Sequence, residues 1–256
     1  MTSLIYDPII ISTVTSLCYL WAFLLQCFRI VRRKTDKLWL LQCVLLVAIS
    51  LHSYLLYKWI DVGIGQNLSF YNIFSLVTWL IALIIGLAIW KKPFDALLIL
   101  ICPLAVFSIG LVDYFPTQTI INTQANPFAL WHILLSTIVV SVLTIAALQA
   151  IILAIQEKQL RHHPGGLIRH LPSLQAMEQL LFQVIMAGFV LLTVLLASSV
   201  ILFYPLDNIV LIRKMVVSVC AWLIFLMLMV GRYYAGWRGK IAIQWTLLGV
   251  LALLLV

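Results

Sequence analysis

Apolar runs recur eight times along the chain, each close to the roughly 20 residues of helix needed to cross about 30 Å of hydrocarbon. Short polar segments separate them. The runs predict helices over about Pro8 to Phe28, Leu38 to Tyr57, Leu68 to Trp90, Phe94 to Val112, Pro127 to Ala154, Met177 to Tyr204, Met215 to Val230 and Ile241 to Val256. Trp39 and Trp59 bracket the second run as interfacial anchors, and Pro93 helps to stop the third. The expected fold is all-α: a polytopic membrane protein, one integral domain over residues 1–256, built as a bundle of eight transmembrane helices. The first run has no basic segment before it and no small-residue cleavage site, so it is read as a span and not as a signal peptide.

Composition agrees with this pattern. Of the 256 residues, 64% are apolar and only 9% are charged, against about 25% charged in soluble domains. The net charge of +8 does not point to nucleic acid, because the basic residues cluster in short loops where they meet anionic lipid headgroups. Thirteen of the 16 Lys and Arg fall in the loops after the first, third, fifth and seventh runs, and three, Lys58, Arg213 and Lys214, fall in the alternate loops. The richer side is normally cytoplasmic, so both termini are expected on the non-cytoplasmic side. Cys18, Cys27, Cys43, Cys102 and Cys220 all lie in apolar runs with no C-x-x-C pair, which argues for packing residues and not for a disulfide or metal framework.

Two ionisable side chains sit inside the apolar zone, His52 and His132. Such groups are costly in lipid and call for a partner or a purpose. His52 lies six residues before Lys58, roughly 9 Å below the outer boundary, and His132 lies five residues after Pro127, roughly 7.5 Å below it. The depths agree. One reading has each imidazole bonding a hydroxyl or carbonyl of a neighbouring helix, with Ser50, Ser53, Ser136 and Thr137 as local partners. The other has the two neutral imidazoles as axial ligands of one b-type haem iron, which requires ring nitrogens on the order of 4 Å apart. Ser136 or Asn72 would then orient a ring from behind, and Trp79, Phe70, Tyr71 and Trp131 would pack on the porphyrin.

Little else carries chemistry. All eight carboxylates lie in loops or at span edges, where a proton-coupled transporter would place some inside the bundle. No G-x-S-x-G, H-E-x-x-H or Walker-type sequence occurs, so no enzyme is expected. His162, His163 and His170 belong to a cytoplasmic HHPGG-containing loop and read as solvated; the same loop continues as GLIRHLPSLQAMEQLLF, able to lie along the membrane surface.

The segments GQNLSFYNIFSLVTW (65–79), WHILLS (131–136), LPSLQAMEQLLF (171–182) and RKMVVSVCAWLIFLMLMVGRYYAGWRGK (213–240), together with His52, resemble the cytochrome c assembly protein family in its YpjD and HemX-like branch, related to the CcsA and CcmC haem-handling proteins. The resemblance covers nearly the whole chain. It implies an eight-span, multi-pass protein of the cell inner (plasma) membrane in which His52 and His132 are the retained haem-handling pair. There are departures. No W-G-x-x-W-x-W-D segment is present, the 14 residues from Asp113 to Asn126 contain no tryptophan, and positions where relatives carry further histidines are held by Arg213, Arg232 and Tyr234. Two functions stay open: a haem-related site near the outer face, or a haem-free accessory subunit or stabilising partner of another membrane complex, such as an ion transporter.

Overall fold

The computed structural model describes residues 8–32, 38–63, 65–90, 94–121, 127–162, 173–202 and 209–255. The chain packs as two compact units, Met1–Asn126 and Pro127–Val256.

The first unit holds α1 (Pro8–Arg32), α2 (Leu38–Ile60), α3 (Phe70–Ala88) and α4 (Leu98–Tyr114), the last preceded by a 3₁₀ turn over Asp95–Leu97. α1 packs on α2 and α4, and α3 packs on the same two, so the four close on themselves. The reason lies in α1. Ser12, Thr15, Tyr19, Ala22 and Gln26, spaced three or four apart, form one buried stripe, while Leu17, Trp21, Leu24 and Phe28 are exposed. In lipid the outward face gains nothing by being polar, so small and hydrogen-bonding side chains turn inward to hold the helices together. At one end of the unit Arg29 Nη1 lies 3.8 Å from Asp95 and 2.9 Å from Gln26 Oε1, which joins α1 to the start of α4.

At the other end, where the apolar pattern predicts no sheet, β1 (Gln66–Asn67) pairs antiparallel with β2 (Ile120–Ile121), Gln66 opposite Ile121. Asn67 fastens the ribbon with its side chain: Nδ2 donates to Thr117 O at 3.0 Å and Oδ1 accepts from Thr119 N at 2.9 Å. Gly65 is required here, because a Cβ would press on the Ile121 carbonyl at 2.6 Å.

The second unit holds α5 (Pro127–His162), α6 (Leu174–Leu202), α7 (Ile209–Tyr234) and α8 (Lys240–Leu254). α5 packs on α6 and α8, and α7 packs on the same two. Gly188 admits Leu143 between α6 and α5, and Gly249 admits the Phe225 ring between α8 and α7, the close approach through small residues that membrane helices favour. Arg232, near the end of α7, lies 3.0 Å from Glu178 of α6, stands 4.3 Å over the Phe182 ring and donates to Trp237 O. Arg232 thus forms an internal clasp between α7 and α6.

Several boundaries differ from the expected ones. α5 has 36 residues, about 54 Å, and runs eight residues past Ala154 because QEKQLRH is made of good helix formers that need no lipid. α7 begins at Ile209, so Arg213 and Lys214 are helical and not in a loop. Among the described residues seven helices are long and apolar enough to cross a membrane, and α8, with 15 residues or about 22 Å, is shorter. His163 and His170 of the predicted cytoplasmic cluster lie outside the described residues.

Candidate functional site

His52 sits in the middle of the first unit with none of its surface exposed. Its Nδ1 lies 3.2 Å from the Tyr19 hydroxyl of α1, and its Nε2 lies 2.9 Å from Ser75 Oγ of α3. One bond donated and one accepted satisfy a neutral imidazole, so α1, α2 and α3 are joined at one residue. The hydroxyl line extends to α4, where Thr78 Oγ1 meets Ser108 Oγ at 2.8 Å. Ser50 and Ser53, the local candidates, instead donate to carbonyls one turn back, Leu46 O and Ile49 O. Trp79 sends its Nε1 to Ile49 O at 3.0 Å and fastens α3 to α2 a turn from His52.

His132 belongs to the second unit. Its ring is half-buried, with Nδ1 3.1 Å from Ser198 Oγ of α6. Ser198 already donates to Leu195 O at 2.7 Å, so its oxygen accepts from His132 and the proton is assigned to Nδ1. A hydroxyl of α6 thus orients the ring. Trp131 is 70% exposed beside it. Ser136 and Thr137 both donate to Ile133 O, so neither orients the imidazole.

A haem iron needs the lone pair of a ring nitrogen at about 2 Å and an open face for the porphyrin. At His52 both nitrogens are bonded to hydroxyls and the residue is fully enclosed. Asn72 is also committed elsewhere, its Nδ2 donating to Asn67 O at 3.0 Å and to Trp59 O at 3.3 Å. Phe70 and Tyr71 pack on each other edge to face, with Phe74 and Phe115 stacked beyond them. Among the described residues no group of three or more His, Cys, Asp or Glu could hold a metal, and the five cysteines are free.

Tyr19, Ser75 and Ser198 are not among the partners expected from the sequence. For Tyr19 the signal was present: the polar positions 12, 15, 19 and 26 of the first run share a helical face. Ser75 and Ser198 follow from helix pairing, which no single sequence displays.

These elements define a polytopic α-helical membrane protein with histidines held between helices by hydroxyl groups. Residues 11–256 match the cytochrome c assembly protein family, and the chain belongs to it. It is 31% identical over 191 residues to the inner membrane protein YpjD of Escherichia coli K12, which spans 75% of this chain and 73% of the relative. The same protein from E. coli O6:H1 and O157:H7 matches with the same identity and coverage. No solved structure matches. With seven apolar helices of crossing length among the described residues, and inner-membrane relatives, the chain is a multi-pass protein of the inner membrane.

Proposed function

We propose that the protein is a non-enzymatic assembly factor for haem proteins that works through contacts with lipid and a membrane partner, without a resident b-type haem between His52 and His132. Family membership supports the assembly role. The observation that carries the second half is the enclosure of His52, whose two nitrogens are already bonded to Tyr19 and Ser75. An iron there would have to displace a buried hydrogen bond and leave a hydroxyl unsatisfied, at about 1–3 kcal/mol.

The test has two parts. The full chain, purified from haem-replete cells, should show no stoichiometric Soret band in oxidised and reduced spectra. Cells lacking the chain should show less covalently bound haem on c-type cytochromes. An unchanged cytochrome content would remove the assembly role and leave the alternative, a stabilising subunit of another membrane complex such as an ion transporter.

A second reading has one observation in its favour, the Ser198-oriented ring of His132. There haem is held on the second unit through His132, with His52 uninvolved. A Soret band lost in His132→Ala and kept in His52→Ala is its signature, whereas a band lost in both variants would restore the axial pair.

A further inference from the structure

Beside the β1–β2 ribbon, at the end of the first unit that the loop charges assign to the outside, a cleft of about 240 Å³ opens between the start of α1, the end of α2 and the end of α4. Trp59, Asn67, Asn72, Asp113, Thr117 and Gln118 contribute to its lining, and no Lys or Arg does. The geometry points to a binding site for a small organic cation bearing N–H donors, a guanidinium or primary ammonium group, held by Asp113 and Asn72.

The cleft presents acceptors without matching donors. Asp113 accepts from Ser12 Oγ at 3.2 Å, and no described cation pairs with it. Lys58, in the last turn of α2, stands instead over the rings of Tyr54 and Tyr57, 5.6 and 6.0 Å from their centroids. Asn72 is only 3% exposed. Both bonds drawn by its side chain leave from Nδ2. Among the described residues nothing donates to its Oδ1, and Asn72 lines the cleft. Asn67, by contrast, uses both ends of its amide on the ribbon and acts as a fixed wall. One carboxylate and one amide oxygen, with an indole in the lining, favour a cation that donates hydrogen bonds. A bare divalent ion would want more carboxylates than the site has. The volume is several times that of one water, about 30 Å³, and suits an organic group. This site goes beyond the assembly role and does not depend on it.

The experiment titrates ethylguanidinium into the full chain in detergent and reads the thermal midpoint and ligand NMR saturation transfer. Saturable binding is expected. Tetramethylammonium, with charge but no donor, should bind about tenfold more weakly, a difference of about 1.4 kcal/mol. Asp113→Asn should lose about tenfold or more. Because that change could also disturb the Ser12 contact, the exposed Gln118 supplies two further variants: Gln118→Lys should abolish binding, and Gln118→Glu should tighten it. A blocked tripeptide with a central arginine separates the sources. Binding of the peptide assigns the site to a protein side chain, and binding of the free compound alone assigns it to a soluble amine. Lack of saturation, equal titration of wild type and Gln118→Lys, or a midpoint response to Mg²⁺ alone that exceeds the ethylguanidinium response would overturn the assignment.

Discussion

The imidazole of His52 and the phenol of Tyr19 meet edge to face, their ring centroids 5.8 Å apart and their planes at 86°, with the Tyr19 hydroxyl 3.2 Å from Nδ1. The contact is polar at one atom and apolar everywhere else. It joins α1 to α2 at the depth where the bilayer gives no other help, and Ser75 does the same for α3 on the far side of the ring.

His52→Ala should therefore destabilise the first unit by about 2–4 kcal/mol, since it opens a cavity and strips the partner from two buried hydroxyls. Tyr19→Phe removes one bond and keeps the ring, so about 1 kcal/mol is expected. Reversible unfolding in mixed micelles titrated with SDS measures both. A neutral His52→Ala would mean that the clasp is ornamental.

Arg232 and Glu178 should behave as a coupled pair. Their side chains are 25% and 13% exposed, so screening trims the ion pair, but the Phe182 ring beneath the guanidinium adds to it. A double-mutant cycle on Arg232→Ala and Glu178→Ala should give a coupling of about 1 kcal/mol. Arg232→Lys should recover only part of the loss, because the ring contact and the bond to Trp237 O both use the planar group. Additive single losses would show that the pair does not interact.

Gly231→Ala and Gly110→Ala form a matched contrast on two helices. A methyl at Gly231 runs into the Trp237 indole, whereas nothing lies within 4 Å at Gly110. The first change should cost about 1–3 kcal/mol and the second should be neutral or stabilising by up to about 1 kcal/mol. Thermal midpoints of the two variants in one detergent decide the matter, and equal shifts would remove the packing argument.

Orientation is open to a direct check. Reporters that work only outside the cytoplasm, fused at either end of the chain, should both be active, since the loop charges send both termini outward. An inactive C-terminal reporter beside an active N-terminal one would mean that α8, with 15 residues, does not cross.

The helices were legible because lipid imposes a coarse rule, length and apolarity, that a sequence displays openly. Their ends were less so. Charged helix formers such as Glu157 and Lys158 look like loop in a hydropathy pattern but carry α5 onward as helix. The depths of His52 and His132 could be counted from Lys58 and Pro127. What each ring bonds depended on which helix lies alongside, and apolar runs do not encode that. The ribbon was hidden for a different reason: two-residue strands leave no alternation to read, and their stability comes from the Asn67 side chain and not from strand-forming residues.

The inward stripe of α1 also has a bearing on how the protein is made. Ser12, Tyr19 and Gln26 face α2 and α4, and the last partner of that face, Asp113, is about 100 residues further along the chain. Until α4 emerges from the ribosome, α1 carries its hydroxyls without their final neighbours. Its early residence is best served by the insertion machinery or a chaperone that shields such a face. The first unit is thus complete only when its fourth helix arrives, so truncation upstream of α4 should yield a substrate for membrane proteases and not a smaller folded protein.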